Sequence, residues 1–170
     1  MPRKEHEEIQ PARRRDCELI AEHIAPRFRL AVLLLEATGV RVAELVALAY
    51  GDIDTTTSQF RVAKGKMKAA RRWVTIPNTL LGEILDRVPP DDRVPDRRVF
   101  QGINEDGIRN AMRRSCQTAG IAHYTPHGYR HRWISLALTQ GIPIADVCQA
   151  AGQADRHVTL NTYANVLVDD

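Results

Sequence analysis

Arg41, Lys66, His127 with Arg130, and Tyr163 are side chains of the types needed to hold and open a phosphodiester without a metal ion. A guanidinium is a planar, permanently charged fork that grips two phosphate oxygens at once, and two of them form a clamp. A tyrosine hydroxyl can attack phosphorus and remain bonded to it. Its pKa of about 10 means that its proton must leave during attack, which a neighbouring imidazole and local positive charge favour. Lysine and histidine are suited to move the protons, and a leaving alkoxide needs such a donor more than a phenolate does. His127 and Arg130 are three residues apart, so a helix places both on one face. His127 and His131 have the i, i+4 spacing of a zinc pair, but no glutamate follows the first histidine as in HExxH. Cys17, Cys116 and Cys148 stand far apart, with no CxxC spacing. Neither a disulfide framework nor a metal centre is expected, and the cysteines read as small buried hydrophobes.

These residues must be brought together by elements far apart in the chain. Residues 1–15 form a polar leader or linker remnant. A helix is predicted from Asp16, with Leu19, Ile20 and Ile24 on one side, broken at Pro26. Phe28 to Thr38 carries the stripe Leu30, Leu33, Leu34 and Ala37 of a buried helix, with Gly39 placed as its C-terminal cap. Arg41 then opens a second helix over Val42 to Leu48. Gly51–Asp54 reads as a turn into a strand, and strands are predicted at Phe60–Val62 and Trp73–Ile76, the three pieces forming a small antiparallel sheet whose hairpin AKGKMKAARR bears the lysines. Asn78 is expected to cap a helix to Val88, and Pro89–Arg98 reads as a surface loop. Further helices are expected over Asn104 or Glu105 to Ala119, over His127 to Thr139, over Ile144 to Ala151, and around Tyr163. The fold class is therefore mainly α with one small antiparallel sheet, an α+β domain.

The 170 residues suffice for one domain with a core, and 44% apolar with 26% charged residues is ordinary for a globular chain. No apolar run approaches the roughly 18 residues of a membrane span, and the charged start has no secretory signal. The net charge is only +3, but positive residues cluster at Arg13–Arg15, Lys64–Arg72, Arg109–Arg114 and Arg130–Arg132. Such clusters fit a phosphate-backbone partner, with Lys64, Lys68, Arg71, Arg72 and Arg132 as candidate contacts.

Taken singly, none of these signals is specific. As a set they resemble the tyrosine recombinase, or phage integrase, family over about Asp16 to Val168. Ala37-Thr38-Gly39-Val40-Arg41-Val42-Ala43-Glu44-Leu45 is similar to the first arginine box, T-G-L-R-x-x-E-L, with Glu44 placed to brace Arg41 or the helix start. Gly65-Lys66-Met67-Lys68 followed by Arg71-Arg72-Trp73-Val74-Thr75-Ile76-Pro77 resembles the lysine hairpin. Lys66 fits best there, Lys64 second and Lys68 third. Thr125-Pro126-His127-Gly128-Tyr129-Arg130-His131 resembles the H-x-x-R box, commonly P-H-x-L-R-H. Tyr163 falls where the family has its nucleophile.

The resemblance implies the recombinase catalytic fold over residues 16–170, without the helical core-binding domain that family members carry ahead of it. It implies that Arg41 and Arg130 clamp the scissile phosphate, Tyr163 forms a 3′-phosphotyrosyl link, His127 transfers protons and Lys66 protonates the 5′-oxygen. No cofactor or metal is implied. The implied partner is double-stranded DNA in a cytoplasmic, nucleoid-associated setting, with a homotetramer on DNA for the full-length protein. No membrane and no small-molecule substrate are expected. One position departs from the family: Gln153 stands where histidine or tryptophan is usual. Its amide still donates a hydrogen bond to phosphate but holds no charge. Two alternatives therefore remain beside an active recombinase: a weakened or inactive DNA-binding relative, and a type IB topoisomerase-like enzyme.

Overall fold

The structure, a computed structural model, describes residues 11–62 and 71–152. Its elements in chain order are α1 (Arg14–His23), α2 (Pro26–Thr38), α3 (Val42–Val46), β1 (Ile53–Asp54), β2 (Gln59–Val62), β3 (Arg72–Thr75), α4 (Asn78–Asp86), α5 (Glu105–Ala119), α6 (Pro126–Thr139) and α7 (Ile144–Ala151). The mainly α arrangement with one small sheet follows the sequence expectation.

Helix α2 is the centre. It packs against α1, α3, α4, α5 and α6. A helix with neighbours on so many sides needs apolar residues nearly all round. Leu30, Ala31, Val32, Leu34 and Leu35 are accordingly buried. This corrects the expected stripe: Leu33 and Ala37 are only half-buried and line a shallow groove with Trp133 and Leu136. Ile20, Leu45, Phe60, Ile76, Ile84, Phe100, Ile108, Met112 and Tyr129 complete one main core. A smaller cluster of Ile134, Ala137, Val147 and Ala151 joins α6 to α7.

The helix ends follow local chemistry. Pro26 occupies the first turn of α2, where its missing N–H costs nothing. Gly39 closes that helix at φ +62°, the left-handed region that a glycine enters without a Cβ penalty. Asn104 and Thr125 cap α5 and α6 by accepting from the N–H groups of Gly107 at 2.7 Å and Gly128 at 3.2 Å. Asn78 departs from the expected cap. Pro77 holds the cap position, and the Asn78 side chain accepts the Ser58 hydroxyl at 2.8 Å.

The sheet has the order β1-β2-β3 and is antiparallel throughout. Ile53 pairs with Phe60, Phe60 with Val74, and Val62 with Arg72. Alternation sends Phe60, Val62 and Val74 into the core and leaves Trp73 about half exposed on the outer face. It also turns Arg72 inward beside Val74. Cys17, Cys116 and Cys148 are all buried, as expected. Burial pushes the Cys17 thiol up to about 12, so it is unreactive. Among the described residues no helix is long and apolar enough to cross a membrane.

Candidate active site

Arg41 stands between α2 and α3 with extended backbone at φ −70°, ψ 146°. Its N–H donates to Glu44 Oε2 at 2.9 Å, which fixes the start of α3. Its guanidinium donates to Glu44 Oε1, also at 2.9 Å. Glu44 thus braces both the helix start and the arginine head. The same carboxylate takes a second arginine: Arg72 donates to Oε1 at 3.2 Å and to Oε2 at 2.9 Å, a bidentate fork. The Arg72 and Glu44 side chains are 6% and 7% exposed, whereas that of Arg41 is 41% exposed. Burial works against the Glu44 charge. The bonds from Arg72 and Arg41 outweigh it and hold the carboxyl below its ordinary range.

Arg130 enters from the first half of α6 and is 2% exposed. It donates to the Gly39 carbonyl at 2.8 Å and to the Ala151 carbonyl at 2.6 Å. The end of α7 organises the rest of the cluster. The carbonyls of Ala150, Ala151 and Gly152 receive Arg72 at 2.6 Å, Arg130 at 2.6 Å and Arg41 at 3.1 Å, in that order. The last carbonyls of a helix have no intrahelical partner and form the negative end of its dipole, so three cations gather there. Gly152 ends α7 at φ +65°, and a Cβ there would lie 2.5 Å from Arg72 Nη1. The left-handed backbone favours glycine there, and a Cβ would also push the Arg72 head from its place.

Of the three guanidinium groups, those of Arg41 and Arg72 share one carboxylate, Glu44. Arg130 has carbonyl partners but no ion-pair partner among the described residues. Burial, with Arg41 and Arg72 nearby, lowers Arg130 to about 10. A desolvated excess of positive charge of this kind is a site for an anion. His127 lies one turn before Arg130, near the start of α6. Burial and then the charges of Arg130 and Arg41 lower its pKa, so the imidazole is ready to accept a proton. The three residues of the expected catalytic set within the described region, Arg41, His127 and Arg130, thus come to one place from elements far apart in sequence.

Two of the candidate DNA contacts are engaged within the chain. Arg72 does not face solvent, because strand alternation sends it to Glu44 and Ala150. Arg132 is two residues beyond Arg130, about 200° around the helix. It turns away from the site, donates to the Ala12 carbonyl at 3.2 Å and lies 3.8 Å from Glu36. Arg71 is exposed just before β3. Lys64, Lys66, Lys68, Gln153 and Tyr163 lie outside the described residues. Sequence reading named Arg72 as a DNA contact and missed its bond to Glu44, although its period-2 relation to Val74 carried the signal. It also missed the α7 carbonyls, for which a sequence has no local mark.

A profile described as the Phage integrase family matches residues 13–169. The chain is 31% identical over 168 residues to the tyrosine recombinase XerA of Thermococcus kodakarensis, covering 95% of this chain and 54% of that protein. It is 33% identical over 140 residues to XerA of Pyrococcus furiosus, covering 78% and 48%. A crystal structure of XerA recombinase superposes with a TM-score of 0.74 at 26% identity, covering 95% of this chain and 60% of that one. The Tn1549 transposon integrase in complex with transposon right end DNA superposes at 0.79 with 15% identity, a likeness of fold, covering 96% and 64%. The chain spans about half the length of these curated relatives.

Proposed function

The chain belongs to the phage integrase family, and we propose that residues 16–170 act as the catalytic domain of a site-specific DNA recombinase or integrase. The observation that carries this reading is the convergence of Arg41 and Arg130, with His127 beside them, on a largely buried cationic site suited to one anion. In the proposed reaction that anion is the scissile phosphate. Arg41, the more exposed cation, meets it first. Arg130, fixed by two carbonyls, keeps donors in place for the charge that grows on the phosphate oxygens. Glu44 and Arg72 hold Arg41 and the end of α7 in register.

Tyr163 attacks phosphorus, its proton passes to His127, and the P–O5′ bond breaks as Lys66 protonates the departing oxygen. A 3′-phosphotyrosyl link conserves the bond, and the 5′-hydroxyl of another strand reverses the step. Gln153 follows Gly152 directly, and Tyr163 comes eleven residues after Gly152. Arg41 is bonded to the Gly152 carbonyl, so both assignments belong to a segment that begins at the site. Lys64, Lys68 and Arg71 contact the phosphate backbone in this reading. The full-length protein works on double-stranded DNA as a homotetramer, with a core-binding domain, in the cytoplasm at the nucleoid.

The test is incubation of the chain with a pool of nicked duplexes randomised around the nick. A denaturation-resistant protein–DNA adduct is expected, and Tyr163→Phe abolishes it. Adducts that persist in Tyr163→Phe, or none from a protein that still binds DNA, sink the reading. The second outcome selects the DNA-binding relative that the Gln153 departure favours. Relaxation of supercoiled plasmid without sequence preference selects a topoisomerase.

A further inference from the structure

We propose that His131 is a positioning residue, its partly buried ring serving as the seat that turns the His127 imidazole toward the arginine cluster. The inference rests on the catalytic reading above, since it concerns how that site sets its proton-transfer group. His127 and His131 are one helical turn apart on α6. Their ring centroids are 4.5 Å apart and their planes cross at 83°, an edge-to-face contact. An imidazole that moves protons is usually oriented by a carboxylate or carbonyl on its second nitrogen. No such bond to His127 is seen among the described residues, and the contact recorded for its ring is the edge-to-face one with His131.

His131 is itself held by packing. Its Nδ1 is buried and has no hydrogen-bond partner among the described residues. The charged groups that face the pair are Arg130 on the same helix and Arg41 at the start of α3; no carboxylate acts on either ring among the described residues. Burial first, then His127 and Arg130, push His131 down to about 4. The seat therefore stays uncharged in neutral solution and adds no cation beside His127. A protonated or lysine side chain there would repel a charged His127. If the role is steric, a flat ring without nitrogens replaces it and an aliphatic group does not.

The experiment compares the full chain with His131→Phe, His131→Leu and His131→Ala by histidine NMR, with inorganic phosphate as the probe. In the parent and in His131→Phe, one His127 resonance should titrate below the ordinary histidine value and shift with phosphate. In His131→Leu and His131→Ala, the flat ring contact is lost, so the His127 midpoint should move from its parental value and the phosphate-induced shift should shrink at least about 2-fold. In adduct formation, a misaligned base costs up to about 100-fold. The Leu and Ala variants should fall toward that limit while Phe stays within about 3-fold of the parent. Leu fills the volume, so a fold defect confined to Ala leaves the comparison intact. An unchanged His127 midpoint and phosphate response in the Leu variant overturns the proposal, as does loss of both in the Phe variant. The NMR readout needs no cleavage, so absence of adducts in the parent would defeat the catalytic reading and leave the positioning result standing.

Discussion

Arg130 and Gly39, 91 residues apart in sequence, are joined by a 2.8 Å hydrogen bond from the guanidinium to the glycine carbonyl. The bond ties the end of α2 to α6, with Arg41 two residues further along the chain. The position has no room for a side chain. Gly39 has φ +62°, and a Cβ would lie 2.6 Å from the Trp133 ring.

Gly39→Ala should therefore cost about 1–3 kcal/mol from the left-handed backbone alone, with the Trp133 clash added. Urea unfolding of the purified chain measures it. A loss under about 0.5 kcal/mol would show that the α2–α3 turn adapts at this point.

Glu44→Gln removes the carboxylate that compensates two arginines. Breaking one partner of a buried ion pair costs about 3–5 kcal/mol because the remaining charge stays buried. The double variant Glu44→Leu/Arg72→Met should recover most of that stability and leave Arg41 without its brace. The expected signature is near-parental unfolding together with weakened DNA binding. Full DNA affinity in the double variant would remove Glu44 from the site argument.

Salt dependence separates the arginines. With a mixed-sequence duplex, Arg41→Ala and Arg71→Ala should each reduce the slope of log K against log salt by about one phosphate contact. Arg132→Ala should leave the slope unchanged, because its head lies against Ala12 and Glu36. An equal drop for Arg132 would contradict its placement away from the site.

Acid should weaken the fold in two stages. His131 has a folded pKa of about 4 against an ordinary value of 6.5. The unfolded chain therefore binds the extra proton, and this contribution to stability, full above about 6.5, is lost as pH falls toward 4. Its size is about 2 kcal/mol after allowance for partial exposure. Glu44 is held below its ordinary 4.5, so its contribution is lost only at lower pH still. His131→Phe should flatten the upper stage of a Tm-against-pH curve and leave the lower one. A curve unchanged by that substitution contradicts the shift.

Much of this was written locally. Capping residues, prolines and glycines marked the helix ends, because caps act within one turn. Period-2 alternation gave the strands. The spacing of His127 and Arg130 put them on one face, since i and i+3 adjoin on any helix. Where local reading failed, a neighbour from elsewhere in the chain had intervened. Ser58 drew Asn78 away from its capping role, and five surrounding helices buried α2 beyond any single stripe.

The sequence by itself determined which chemistries were available: arginine forks, an imidazole, a hairpin of lysines and a tyrosine, on a mainly helical frame. Only the tertiary structure decided which arginines meet. Arg41, Arg72 and Arg130 converge because three successive carbonyls at the end of α7 are open to them, while Arg132 is turned to Glu36. A carbonyl is the same group at every position, so its availability depends on where its helix ends and what packs against it. That is a property of the assembled fold.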